Sequence, residues 1–138
     1  MQISFTAFGN PIGKGRPRVV RLPSGKVHTF TPDRTAAWEQ SIRVQALAHR
    51  PDKPLEGPLV LVLTFYLVKP SSAKRRKYPH VRPDADNLLK ACLDALNGLM
   101  WRDDAQIVDL IAQKWYGDPP RVEIIIQELE EPEKEADV

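Results

Sequence analysis

The apolar run from Leu59 to Val68 does most to restrict what this chain can fold into. Its residues are almost all apolar, interrupted by Thr64, and a short run of this kind is typical of a central strand covered on both faces. The run is far too short to cross a bilayer, which takes about 20 residues. We therefore expect a sheet built around this strand, with no membrane-spanning segment.

The segments around this run alternate between strand and helix patterns. Alternating apolar residues predict strands at Gln2–Phe8, Gln106–Tyr116 and Arg121–Leu129, and a hairpin at Val19–Leu22 and Val27–Phe30. A first helix is predicted from Thr31, as N-cap, with Pro32 at its first position, to about His49. This order predicts a single α/β (α+β) domain with a mixed sheet and two main helices.

Length and charge restrict the domain organisation. The chain has 138 residues and a formal net charge of +2, which suits one domain with its own core. Acids concentrate at the end of the chain, so residues 131–138 are expected to be an acidic disordered tail behind a domain of residues 1–130. The rest of the chain is more basic than the net charge indicates, which suits a polyanionic partner.

Cysteine usage and the first residues indicate the compartment. The single Cys92 allows no internal disulfide, and a protein without disulfides suits a reducing environment. Met1-Gln2-Ile3-Ser4-Phe5 lacks the basic start of a signal peptide. We therefore expect a cytoplasmic protein.

A second predicted helix, from about residue 85 to 97, carries a dense set of polar residues. Leucines and Cys92 recur at helical spacing, while Asp86, Lys90 and Asp94 share one polar face. Asp84 precedes the helix, and Asp103-Asp104 follows it. These acids either cap the helix and cover a solvated face, or gather around a hard divalent cation such as Mg²⁺, which prefers oxygen ligands. The residues alone leave both interpretations open.

The ordered set of residues in and around this helix resembles the signature of the RusA family of Holliday junction resolvases. The set comprises Asp84-x-Asp86-Asn87-x-x-Lys90, Asp94-Ala95-Leu96-Asn97-Gly98 and Asp103-Asp104-x-Gln106-Ile107. The resemblance is dense over residues 82–107 and looser in both flanks. It implies a Mg²⁺-dependent endonuclease, with Mn²⁺ as an alternative ion, that acts on four-way or branched DNA as a homodimer and is often encoded by prophages.

The resemblance also implies roles for individual residues. Asp84, Asp86 and Asp104 would bind the metal, and Lys90 would be the cation beside the scissile phosphate. Asn87, Asp94 and Asp103 would support the site or the fold. We expect the acids to converge where the central strand ends, at the start of the second helix and at the edge of the next strand.

Two basic segments are expected to contact the DNA. The glycine-rich loop before the hairpin offers cations, and its glycine spacing is not that of a P-loop. The segment that leads from the central strand to Asp84 offers more. Arginine and lysine side chains bind phosphate oxygens well, although either segment could instead be a solvated loop. The residues concerned are Lys14, Arg16, Arg18, Lys74, Arg75, Arg76, Lys77 and Arg82.

Two other functions stay open from the sequence. A metal-dependent nuclease of other branched DNA would use the same residues. A non-catalytic basic DNA-binding protein would use the acids only as helix caps. Lys90 beside the acids favours an enzyme, because capping alone needs no such cation.

Overall fold

The computed structural model of the chain describes residues 1–15, 18–30 and 33–131. The loop residue Arg16, the expected N-cap Thr31 with Pro32, and almost all of the expected acidic tail lie outside the described residues. The side chain of Arg18 lies outside them as well.

The described residues form strands and helices in the predicted order, which confirms a single α+β domain with a mixed sheet and two main helices. The first helix is shorter than predicted, because its last turn tightens into the 3₁₀ turn Leu47–His49. The elements are β1 (Gln2–Phe8), β2 (Arg18–Arg21), β3 (Val27–Phe30), α1 (Asp33–Ala46), β4 (Leu59–Leu67), α2 (Ala85–Leu96), β5 (Ile107–Tyr116) and β6 (Arg121–Glu128).

The central strand β4 lies inside a four-stranded sheet of order β1-β6-β4-β5. It pairs antiparallel with β6 and parallel with β5, so that Leu59 lies opposite Ile107 and Leu67 opposite Tyr116. The beginnings of β4 and β5 therefore lie at one end of the sheet and their ends at the other. The hairpin of β2 and β3 forms a separate two-stranded sheet.

Both helices pack on the same face of the sheet and close one hydrophobic core. Along β4, Leu61, Leu63 and Phe65 are fully buried, whereas the residues between them are partly exposed. The expectation that β4 is covered on both faces was therefore wrong. The helices cover one face, and the residues on the other face stay partly exposed. Buried Cys92 lies in this core, and burial raises the pKa of its thiol.

Helix α2 is the crossover from β4 to the parallel strand β5. It therefore begins at the end of the sheet where β4 ends and finishes at the end where β5 begins. With 12 residues, it is about 18 Å long. In the part of the chain that the structure describes, no helix is long and apolar enough to cross a membrane.

Candidate active site

Asp84 and Asp86 present their carboxylates at the N-terminus of α2. Asp84 occupies the N-cap position, and its carbonyl oxygen accepts a hydrogen bond from the Leu88 N–H at 3.0 Å. Its carboxylate makes no capping hydrogen bond, so the interpretation of Asp84 as a side-chain cap fails. Asp86 is exposed in the first turn. Among the described residues, the Asp84 carboxylate forms no capping bond and no ion pair, so it is available to another partner.

The segment before Asp84 is tied to the sheet by Lys114. Its Nζ donates to the carbonyl oxygens of Val81 at 2.7 Å and Pro83 at 2.8 Å. Lys114 lies opposite the buried Phe65 in the β4–β5 pairing, hence on the helix-covered side of the sheet. Sequence reasoning missed this residue, although a lysine at an inward-facing strand position could have revealed it.

A groove with a volume of about 580 Å³ lies beside Asp84. Two arginines border it: Arg82, which was predicted to bind DNA, and Arg34, from the first turn of α1. Asn87, the next groove residue on α2, lies one turn after Asp84. The groove thus joins an acidic centre to cationic walls, and its lining is Pro11, Ile12, Gly13, Lys14, Arg34, Arg82, Pro83, Asp84 and Asn87.

The glycine-rich loop packs closely against the first turn of α2. The Lys14 N–H donates to the Asn87 carbonyl oxygen at 3.0 Å, and the Gly15 N–H donates to Thr35 Oγ1 at 3.1 Å. A Cβ atom at Gly13 would lie 3.2 Å from the Asn87 Cβ, so a side chain there would press against the helix. These two N–H groups are consumed by the protein and are not offered to phosphate.

Lys14 itself joins the two helices rather than facing the groove as a free cation. Its Nζ lies 2.7 Å from Glu39 Oε1 and 2.9 Å from Asp94 Oδ2. Burial alone would lower the pKa of Lys14, but its hydrogen bonds to Glu39 and Asp94 outweigh that effect and raise the pKa above its ordinary value. Lys14 and Asp94 therefore support the fold in this structure, and the charge of Lys14 is compensated locally.

Lys90 follows Asp86 by one helical turn, on the same face of α2. It is exposed, and it forms no ion pair with the described residues. Its ammonium group is therefore available to a substrate that approaches Asp86.

Asp104 lies far from the other two predicted metal ligands. It precedes β5, at the end of the sheet where α2 finishes, whereas Pro83 and Asp84 lie beside Lys114, near the other end of β5. At the usual strand rise, this places Asp104 about 20 Å from Asp84. The expected convergence of three acids does not occur within one chain, because β5 runs parallel to β4 and begins at the opposite end.

The surroundings of Asp104 hold its carboxylate in place. The indole Nε1 of buried Trp101 donates to Asp104 Oδ1 at 2.7 Å. Asp103 caps the following 3₁₀ turn, where its Oδ1 accepts the Ala105 N–H at 3.0 Å. Among the described residues, no three acidic, histidine or cysteine side chains are grouped as metal ligands.

The basic segment from Lys69 to Arg82 is docked on β5. Arg76 Nη1 donates to the Tyr116 hydroxyl at 3.2 Å, and the Tyr78 and Trp115 ring centroids are 5.9 Å apart. Lys69 Nζ lies 5.7 Å from the centre of the Tyr116 ring. These contacts hold the segment against the last two residues of β5. Its predicted DNA contacts Lys74, Arg75 and Lys77 are exposed.

Comparison with known proteins shows the family of this chain. The family model for endodeoxyribonuclease RusA matches residues 9–127. The chain is 37% identical over 138 residues to the uncharacterized protein YqaN of Bacillus subtilis (strain 168), covering 92% of this chain and 96% of that protein. It is 31% identical over 113 residues to the crossover junction endodeoxyribonuclease rusA of Lactococcus phage r1t, covering 80% and 85%.

These matches define the class of protein as an endodeoxyribonuclease. The chain belongs to the RusA family, which confirms the resemblance read from residues 82–107.

Proposed function

We propose that this protein is a Mg²⁺-dependent nuclease that resolves Holliday junctions as a homodimer, in DNA recombination and repair. The observation that carries the proposal is the carboxylate of Asp84 in a groove bordered by Arg34 and Arg82, with Asp86 exposed in the adjoining first turn of α2. Asp84 has the N-cap position without the capping bond, so its carboxylate does not cap the helix in the part of the chain that the structure describes. The name of the phage relative, crossover junction endodeoxyribonuclease rusA, supports the class of DNA substrate.

The donor set at the start of α2 fits a magnesium ion. Mg²⁺ is usually held by one or two carboxylates, with water and substrate phosphate completing its coordination, and Asp84 and Asp86 offer two such groups. When bound there, Mg²⁺ (or Mn²⁺) supplies charge neutralisation at the phosphate and an activated water.

The neighbouring cations act on the DNA directly. Lys90 lies one turn from Asp86 and carries no competing ion pair with the described residues, so its ammonium group stabilises the negative charge that grows on the phosphate during cleavage. Arg34 and Arg82 border the groove and hold the strand through phosphate contacts. Lys74, Arg75 and Lys77 extend this cationic surface along the docked segment.

The distance to Asp104 supports a homodimer. If Asp104 is the third metal-binding acid, a second copy must bring it, because its own chain holds it about 20 Å away. Two-fold symmetry is the usual arrangement of homodimers. The site is then completed by the partner subunit's Asp104, and a dimer has two such sites for the two cuts that a four-way junction needs.

Strand β5 is the edge at which two copies would meet. It is the last strand of the sheet in the order β1-β6-β4-β5, and its exposed side chains include Val108 at 64% and Ile111 at 41%. A long apolar edge strand of this kind invites pairing with another chain. Antiparallel pairing of two β5 edges sets the beginning of one strand, near Asp104, beside the end of the other, near Lys114 and Asp84.

The test is cleavage of a labelled immobile four-way junction with and without Mg²⁺, beside linear duplex. Paired symmetric nicks are expected in the junction, only with Mg²⁺, and Asp86→Asn should abolish them. The matched control is Asp52→Asn, the same chemical change at an exposed residue remote from α2's N-terminus.

Three outcomes would contradict the proposal at different levels. Cleavage without a divalent ion, or unchanged cleavage in Asp86→Asn, would refute the metal site. Equal cutting of flaps, branches and junctions would show that the protein is a nuclease of branched DNA in general and not a dedicated resolvase. Binding without any cleavage would show that the protein is a non-catalytic DNA-binding protein.

A resolvase acts where DNA is, so we place it in the cytoplasm of a bacterial or phage-infected cell.

A further inference from the structure

The hairpin formed by β2 and β3 stands apart from the core of the domain. Every residue from 19 to 29 is exposed, including the apolar Val19 at 66% and Val27 at 60%. Two strands alone are marginally stable in water, so this hairpin, whose side chains from 19 to 29 are exposed, would gain stability from a partner. The partner must accept both apolar and charged side chains.

The charge of the hairpin indicates what that partner is. No aspartate or glutamate occurs before Asp33 in the chain, so the hairpin is purely cationic. Arg21 and Lys26 form no ion pair with the described residues. This charge complements a polyanion, and it disfavours contact between the hairpins of two copies, because like charges would then oppose each other.

The ends of the hairpin lie at the rim of the candidate active site. Gly15 is anchored to Thr35, next to the groove lined by Gly13 and Lys14. Arg18 follows Gly15 by three residues, and Phe30 precedes Asp33 by three, so each end lies within about 11 Å of a residue beside the groove. A strand anchored in the groove therefore lies within reach of the hairpin.

One face of the hairpin combines apolar and cationic residues. Val19 pairs with Thr29, and Arg21 pairs with Val27; because side chains alternate along a strand, these four share a face. The major groove of DNA, about 12 Å wide, admits a two-stranded ribbon, and valine or threonine methyl groups contact the thymine methyl there. Arginine and lysine at the ribbon's edges reach the phosphates on either side.

We propose that the β2–β3 hairpin is a DNA-binding ribbon that lies in the major groove of the duplex arm next to the cut strand. The proposal rests on the nuclease function proposed above and assigns the surface that holds the arm. Arg21 and Lys26 contact its phosphates, and the Val19–Val27 face contacts base edges.

The experiment measures junction binding without divalent ions, so that no cleavage can occur. A labelled four-way junction is titrated by fluorescence anisotropy at several salt concentrations. Arg21→Glu/Lys26→Glu is expected to bind at least about tenfold more weakly. The slope of its log affinity against log salt concentration should fall by the amount expected for about two lost phosphate contacts. Arg50→Glu/Lys53→Glu, the same charge change at exposed positions beyond the far end of α1, is the matched control and should bind nearly as the wild type does.

A second variant separates the apolar contacts from the charge. Val19→Ser/Val27→Ser is expected to weaken binding while the salt dependence stays that of the wild type. All of these positions are exposed, so unchanged thermal unfolding verifies that each variant folds.

Any other outcome would reject the proposal that the β2–β3 hairpin binds DNA. Equal binding and an equal salt dependence in Arg21→Glu/Lys26→Glu and the wild type would overturn this inference alone, and so would an equal loss in the control. A hairpin variant that loses its oligomeric state in sedimentation, with DNA binding intact, would assign the hairpin to a second copy. Failure of the wild type to bind any branched DNA would overturn both this inference and the proposed function.

Discussion

The ammonium group of Lys114 lies 2.8 Å from the carbonyl oxygen of Pro83, the residue directly before Asp84. A second bond, to the carbonyl oxygen of Val81, gives that short segment two anchors on the edge strand. The position of Asp84 is therefore determined by a residue 30 positions further along the chain, which touches neither Asp84's carboxylate nor, in our proposal, the metal ion.

Lys114→Met should weaken Mg²⁺ binding more than it reduces cleavage at saturating Mg²⁺. Loss of both anchors loosens the backbone that carries Asp84, and removing a group that orients a metal ligand typically costs about 10- to 100-fold in affinity. A Mg²⁺ titration of junction cleavage measures this, and high Mg²⁺ should restore most of the rate. Lys114→Arg, which keeps donors and charge, should restore part of the affinity. A lower maximal rate with an unchanged Mg²⁺ dependence would contradict this positioning role.

Mixing two inactive variants should restore activity if Asp104 acts across the dimer. In a heterodimer of Asp86→Asn and Asp104→Asn chains, one site receives both substitutions and the other receives neither. One intact site remains, so single nicks should return, whereas each homodimer stays inactive. If each site belonged to one chain, every site in the mixture would carry a substitution, and mixing would restore nothing. Mixing Asp84→Asn with Asp86→Asn is the control, because neither arrangement predicts recovery for it.

Trp101→Phe should impair cleavage, whereas Trp38→Phe should leave it nearly unchanged. Both tryptophans are buried, and the substitution removes the same atoms. The Trp101 indole donates to Asp104, whereas the Trp38 Nε1 has no hydrogen-bond partner among the described residues. A hydrogen bond to a charged group contributes about 1.5–3 kcal/mol, so urea unfolding should also show the larger loss for Trp101→Phe. Equal effects of the two substitutions on cleavage would show that the bond to Asp104 is unimportant.

Lys14→Met should lower the free energy of unfolding by about 1–3 kcal/mol at neutral pH, because two hydrogen bonds to carboxylates are lost. The pKa of Lys14 is raised in the folded state, so its contribution is fully present below the unfolded value and disappears as the pH rises through the folded value. Urea unfolding of both proteins should show a constant difference from pH 7 to about 9 and a shrinking one above the ordinary lysine pKa of 10.5. Lys53→Met, an exposed control, should show no such pattern. A difference independent of pH would refute the ionic origin.

The local part of the candidate site could be predicted from the sequence because residue spacing along α2 determines it. Asp86 and Lys90 are four residues apart on one helix, so the helical period places them on one face, and Asp84 directly precedes that helix. The order of elements was predictable for the same reason, from periods of two and 3.6 residues.

The rest of the site depends on which strands become neighbours. The parallel alignment of β5 with β4 separates Asp104 from Asp84 and lets Lys114 reach Pro83. The residue spacing near these positions predicts neither the separation nor the contact. The partly exposed face of β4 shows a similar limit. Val60 and Val62 are as apolar as their buried neighbours, although only one side of the strand meets a helix.

The position of Asp104 has a kinetic consequence for the proposed dimer. A catalytic centre divided between two chains makes activity second order in protein when dimers are scarce, so the specific activity rises with enzyme concentration. A newly made chain that meets no partner is then harmless to the DNA around it. Dilution would switch off such a nuclease, and no inhibitor would be needed.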